Sequence, residues 1–246
     1  MAYLTRWWDD QSPPAAREAT RDLAVRAMAP MTVWWVIVVA IGWAISDGPL
    51  KHLGQSEQRV NKTLASHRTP ALNDITLFFS WTGATVSIVG VCLVVVAILW
   101  WRTRQWWFAV VPLLAITLQA LVFFFTTLLI DRPRPDVVKL DHSPPTSSYP
   151  SGHSGAATGL YVTLAFLALR IRRPAVRDLA VTVCLLVPFL VASARLYRGM
   201  HHLSDLCVAI LNGLIAALLA WGWLRRSPVR LTHGQAHSGQ PRRHRA

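Results

Sequence analysis

His153 closes the run Pro150-Ser151-Gly152-His153, and His201 stands in Arg195-x5-His201-x3-Asp205. A third block, Arg132-Pro133-Arg134-Pro135, lies a short loop upstream of the first. Residue types in this order suit phosphoryl chemistry, which needs negative oxygens neutralised, a nucleophile in line with the leaving group, and a proton for the departing oxygen. Arg134 and Arg195 offer planar, permanently charged forks of donors that match phosphate oxygens, and Arg132 is a third candidate. Ser151 and Gly152 precede a helix start expected at Ser154, where outward-pointing N–H groups can cradle an oxyanion. Gly152, without a side chain, lets that oxyanion come close.

His201 and Asp205 are four apart, so a helix puts them on one face. The carboxylate can then keep one imidazole nitrogen protonated and leave the other free to attack phosphorus. Read alone, Asp205 or Ser204 is equally a helix N-terminal cap beside an interfacial histidine. His153 is the candidate general acid, and read alone it is equally a turn-stabilising histidine. Taken together, the structural readings require two histidines, an aspartate and the arginines to converge by chance beside apolar segments, where charge is costly.

Those apolar segments must position the blocks. The chain is 53% hydrophobic and 15% charged, more apolar than a soluble domain of this length needs. A spanning helix takes about 20 mostly apolar residues. Six segments qualify: Met31 to Ser46, Thr85 to Trp101, Trp106 to Ile130, Ser154 to Leu169, Leu179 to Ala194 and Leu203 to Leu224. The expected fold is therefore an all-α polytopic bundle of about six transmembrane helices. Pro70 to Gly83 reads as an interfacial or buried helix that feeds the second span.

Arginine placement orients the bundle, because short loops rich in Arg and Lys stay cytoplasmic. Arg17, Arg21 and Arg26 precede span one, Arg102 and Arg104 separate spans two and three, Arg170, Arg172, Arg173 and Arg177 separate four and five, and Arg225 and Arg226 follow six. All four groups fall on one face. Both termini are thus expected in the cytoplasm of a cell membrane protein, with the three motif loops on the extracytoplasmic side. Arg132, Arg134 and Arg195 break the charge rule there, as anion-binding residues would.

The formal charge of +13 resides mostly in the inner loops and the tail, so contact with anionic lipid headgroups explains it better than nucleic acid does. Three regions are expected: a cytoplasmic segment at 1–28, a membrane-embedded domain at 29–224, and a basic, disordered tail at 225–246. Trp34, Trp35, Trp100, Trp101, Trp106, Trp107, Trp221 and Trp223 fit an aromatic belt. No small-residue cleavage pattern follows the leader, so the first span is expected to stay in the protein. Cys92, Cys184 and Cys207 match no metal or redox spacing and read as packing residues.

The three blocks resemble those of the type 2 phosphatidic acid phosphatase superfamily, whose pattern is Lys-x6-Arg-Pro, Pro-Ser-Gly-His, then Ser-Arg-x5-His-x3-Asp. The likeness runs from about Thr127 to Asp205, and the six-span layout extends it. It implies that His201 forms a phosphohistidine, His153 protonates the leaving group and Asp205 supports the nucleophile. It also implies phosphate binding by Arg134, Ser151, Gly152 and Arg195, and no metal or other cofactor. Two positions depart from the pattern: Thr127 stands where the family has lysine, and Ala194 where it has serine. One cation is therefore missing, with Arg132 or Lys139 as possible substitutes, although Lys139 reads first as a solvated loop residue.

The implied reaction is hydrolysis of a lipid phosphate or diphosphate on the outer face. Phosphatidic acid, phosphatidylglycerol phosphate and a polyprenyl diphosphate such as the undecaprenyl carrier are candidates, and family analogy leans to the last. A lipid phosphotransferase stays open, as does a non-catalytic lipid-phosphate binder or transporter suggested by Thr127. Vanadate haloperoxidases share the motif logic but are soluble. Oligomeric state leaves no signature.

Overall fold

The computed structural model describes residues 13–142 and 146–223. The proposed tail at 225–246 lies outside the described residues. All regular structure among those described is helical.

The first apolar segment begins earlier than its hydropathy suggested. Helix α1 (Ala16–Asp22) runs through a π-helical turn (Leu23–Met28) into α2 (Ala29–Ser46). Pro30 explains the widened turn, because proline has no N–H and its ring crowds the carbonyl four residues back. Residues 16–28, nearly half of the segment assigned to a separate cytoplasmic region, are thus continuous with the first span.

Two helices unsuited to spanning follow. Helix α3 (Leu53–Ser66) is amphipathic and was not expected. Helix α4 (Pro70–Thr82) is the one anticipated before the second span. Thr69 caps it by accepting from Leu72 N at 3.3 Å, and Pro70 fits its first turn. Then come α5 (Thr85–Thr103), the short α6 (Trp106–Ala109), α7 (Val111–Leu129), α8 (Gly152–Ala168), α9 (Pro174–Tyr197) and α10 (Leu203–Trp223). The expected span from Trp106 to Ile130 is broken at Val110, just before Pro112.

Among the described residues, five helical segments are long and apolar enough to cross a membrane. The sixth expected span, α8, is shorter and sits in the middle of the bundle, packed on α7, α9 and α10. Its small residues let backbones meet: a Cβ added to Gly213 of α10 would lie 2.5 Å from the Gly155 carbonyl oxygen. Without a hydrophobic driving force between helices in lipid, such close backbone contact supplies dispersion energy instead. Val36, Val94, Leu128 and Phe189 are exposed on the outer faces of α2, α5, α7 and α9, as suits helices bathed in hydrocarbon.

Trp223 Nε1 donates to Ala19 O at 3.2 Å, so the start of α1 and the end of α10 share one end of the bundle. Arg170 stacks over Phe108 and Trp221 at that same end. The motif loops gather at the opposite end. Of the three cysteines, Cys92 is buried, Cys184 is half-buried and Cys207 is exposed, so Cys207 does not serve core packing.

Candidate active site

The connection from α7 to α8 folds back into the end of the bundle. Tyr149 anchors it, fully buried, with its hydroxyl donating to Val38 O at 2.8 Å. The ring lies on Gly42, where a Cβ would come within 2.6 Å of it. This wedge brings Pro150 and Ser151 to the start of α8.

Helix α8 starts at Gly152, earlier than expected. Ser151 is its N-cap and its hydroxyl accepts from Ser154 N. The Gly152 and His153 N–H groups belong to the first turn and have no acceptor within the helix. Both residues line a cavity of about 760 Å³ together with Arg134, Arg195 and His201.

His201 lies in the tight turn joining α9 to α10. The turn depends on Gly199, whose φ of +73° is strained for side-chain-bearing residues, and whose added Cβ would strike Val137. His201 Nδ1 lies 2.7 Å from Ser148 O. A carbonyl only accepts, so Nδ1 carries the proton and Nε2 keeps its lone pair. Burial, then the charges of Arg195 and Arg134, push the His201 pKa well below the ordinary histidine value, outweighing the opposing Ser148 bond. The ring is therefore neutral at physiological pH, the state in which a nitrogen is nucleophilic.

The two cavity arginines are held by their outer nitrogens. Arg134 Nη1 donates to Met200 O at 2.8 Å. Arg195 Nη1 donates to Ser80 Oγ at 2.9 Å and to Asp141 Oδ2 at 2.7 Å. Arg134 Nε and Arg195 Nε are both buried and, among the described residues, donate to nothing. Buried guanidinium donors without acceptors are rare and costly. Beside His201, His153 and a helix N-terminus, they call for an anion with several oxygens.

Three expected contributions fall differently. Arg132 does not line the cavity: its guanidinium bonds Asp205 Oδ1 and Glu57 Oε2, the latter at 2.6 Å, and Ser204 Oγ at 2.7 Å. Asp205 and Glu57 hold it away from the cavity that Arg134 lines. Ser151 is fully buried, with its hydroxyl spent on the α8 cap and its N–H on Asp205 O at 3.3 Å. Asp205 does not fix the His201 proton, since its nearest oxygen is 3.9 Å from Nδ1. It accepts from Ser148 Oγ at 2.9 Å and from His202 N at 2.8 Å. The capping role weighed against the catalytic one is thus real: Asp205 reaches back to the start of α10 and holds the Ser148 segment that orients the imidazole. Lys139 is exposed and Thr127 is half-buried, its hydroxyl donating to Phe124 O at 2.8 Å. Neither lines the cavity.

Four site residues escaped the motif reading: Ser80, Glu57, Asp141 and Ser148. Glu57 accepts from Ser204 N at 2.6 Å as well as from Arg132. Burial raises its pKa, but bonds from Ser204 and Arg132 outweigh that and hold it below the usual carboxylate value. Its being the lone acid of an amphipathic helix was the available signal. Asp141 carries no spacing signal at all.

Among curated proteins, no sequence matches the chain significantly. The fold is similar to the crystal structure of a transmembrane PAP2 type phosphatidylglycerolphosphate phosphatase from Bacillus subtilis, with a TM-score of 0.68, 22% identity, and coverage of 79% of this chain and 94% of that one. It is also similar to the crystal structure of LpxE from Aquifex aeolicus, with a TM-score of 0.53, 21% identity, and coverage of 67% and 93%. Residues 108–228, which hold all three motif blocks, match the model of the PAP2 superfamily, and that stretch of the chain belongs to it.

Proposed function

We propose that the protein is an integral-membrane, metal-independent phosphatase that hydrolyses a lipid phosphate or diphosphate through a phosphohistidine. The observation that carries this reading is the pair of buried, unpartnered Nε donors of Arg134 and Arg195 beside a neutral His201. Family membership and the likeness to two membrane PAP2-fold structures support it.

The phosphoryl oxygens would take the two Nε–H donors and the N–H groups of Gly152 and His153. Binding of the phosphate dianion offsets the charges of Arg195 and Arg134 and lets His153 take up a proton; His201 Nε2 then attacks phosphorus, the bond to the leaving oxygen breaks, and the His153 imidazolium gives that oxygen its proton. Water then attacks phosphorus and gives a proton to His153, the phosphorus–nitrogen bond breaks, and inorganic phosphate leaves with His201 Nε2 free again. Asp205 and Ser148 act by holding the ring.

A lipid substrate is favoured because the cavity continues from this polar end along apolar walls. Ile88 and Val89 of α5 and Leu113 and Ile116 of α7 line it. Val89 and Leu113 are also exposed on the outer surface of the bundle, so an apolar tail can pass sideways into lipid. Phosphatidic acid, phosphatidylglycerol phosphate and polyprenyl diphosphates all present this combination. The arginine-rich end lies opposite, which supports cytoplasmic termini and an extracytoplasmic site.

The test is phosphate release by the detergent-solubilised protein from phosphatidic acid and undecaprenyl diphosphate, in chelator, beside His201→Ala. Release that the variant abolishes is the expected result. Full activity in His201→Ala refutes the nucleophile. A second reading, a lipid-phosphate binder, rests on the missing cation at Thr127, and binding without release from either lipid would favour it.

A further inference from the structure

Gln119 has no role in the chemistry above, yet its position is costly. It lies near the middle of α7, is 2% exposed, and is flanked by Leu118 and Ala120. Its backbone carbonyl accepts from Asn212 Nδ2 at 3.2 Å. Its side-chain amide makes no hydrogen bond among the described residues. A leucine would fill the same space without the cost of placing an amide in the apolar middle of a helix, so the amide is of use only toward the cavity it lines.

The amide is aimed where a ligand would be. It lies on α8 over Gly155, where an added Cβ would be 2.4 Å from Nε2. Gly155 is two residues beyond His153, about 3 Å along the helix axis. Gln119 also lines the cavity, as do Ala156 and Phe123. The amide therefore faces the cavity within about one helical turn of the reacting phosphate, just where the polar end gives way to the apolar walls.

A lipid phosphate carries its next functional group at that distance. In a glycerol-based lipid, the carbon bearing the phosphate is followed by carbons bearing ester or hydroxyl oxygens. In a prenyl phosphate only hydrocarbon follows, and it would bury the amide with nothing to bond.

Resting on the lipid phosphatase reading, we infer that Gln119 is a specificity-determining residue that hydrogen-bonds the glycerol-linked oxygens of the substrate, so that the site prefers glycerolipid phosphates to prenyl phosphates. A site built to bond a substrate group rejects the analogue lacking it, because its own polar atoms are left unpaired.

The experiment compares wild type with Gln119→Leu and the more flexible Gln119→Met, full-length in mixed micelles, on phosphatidic acid and geranylgeranyl phosphate. Both variants should lower kcat/KM for phosphatidic acid about tenfold, the worth of one lost hydrogen bond, mainly through KM, and should not lower it for geranylgeranyl phosphate but raise it, because no amide is then left unpaired against the prenyl chain. Equal losses on both substrates, or an unchanged ratio, overturn the inference. Binding of the two lipids, read by tryptophan fluorescence, is measured alongside. If wild type releases phosphate from neither, the phosphatase reading fails, and the Gln119 inference is still decided by whether the variants weaken phosphatidic acid binding alone. A melting temperature near that of wild type in either variant secures the comparison.

Discussion

Asp141 Oδ2 lies 2.7 Å from Arg195 Nη1, and its other oxygen lies 2.7 Å from Arg198 Nη2. A loop carboxylate thus occupies one edge of a guanidinium that lines the cavity. Burial raises the Asp141 pKa, but bonds and charge from Arg198, Arg195 and Ser80 outweigh it and hold the group ionised below its usual range. It positions Arg195 with Nε inward, and it also cancels positive charge that a phosphate would meet.

Asp141→Asn should therefore tighten binding of phosphate-like anions. Orthovanadate inhibition is the measurement, and a fall in its inhibition constant of about tenfold corresponds to roughly 1.4 kcal/mol. The variant should also melt earlier, since two buried arginines lose their counter-ion. Unchanged or weaker inhibition would mean that Asp141 only positions.

Glu57 ties α3 to the start of α10 through Arg132 and Ser204 N. Removing one partner of a buried ion pair costs about 3–5 kcal/mol because the other charge stays buried. Glu57→Ala should lower stability by an amount at the lower end of that range, as Glu57 is 12% exposed. Activity should fall with it, through Arg132, Asp205 and the Ser148 segment. Glu57→Gln keeps the cap on Ser204 N and should lose less, which denaturation in detergent can compare.

The helices and the phosphate blocks were legible because each depends on local pattern. Apolar runs mark spans, and His153, Arg134, Gly152, Arg195 and His201 carry motif spacing into one cavity. What the sequence hid was partnership across the fold. Arg132 and Arg134 look equivalent two residues apart, but only the packing of α3 shows that Glu57 and Asp205 claim the first. The orienting acceptor of His201 is a backbone carbonyl, which no residue type advertises. The start of the first helix was missed because Arg17, Arg21 and Arg26 interrupt its hydropathy although they do not interrupt its helix.

The pH response has a definite sign. His201 and His202 both have pKa values lowered chiefly by burial, so below about pH 6.5 the unfolded chain takes protons that the native chain refuses. Stability should fall as pH drops through that window. The depressed Glu57 and Asp141 add to the loss at still lower pH, because their ionised forms stabilise the fold only above their native pKa values. Melting temperature from pH 8 to 4 should decline throughout, and His202→Ala should flatten the part below 6.5. The acid limb of kcat/KM should likewise lie below the ordinary histidine value, since His201 attacks as the neutral ring.

Thr127 is where the family pattern has lysine, and neither Arg132 nor Lys139 supplies that charge to the cavity. Helical side chains lean toward the helix N-terminus and cover the preceding turn. A lysine at this position would thus run back over Phe123, which lines the cavity and whose ring lies within 3.1 Å of a Cβ built on Gly152. Thr127 is half-buried, so the stem can pack while the ammonium reaches the polar end. Thr127→Lys should then raise affinity for the phosphate dianion, with orthovanadate inhibition tightening by about tenfold and steeper weakening as salt rises. Combined with Asp141→Asn, the gain should be less than the sum of the two, because both act on the same anion. No change in either measurement would show that a cation at this position does not reach the phosphate, and that two arginines and a helix end are the whole of its electrostatic support.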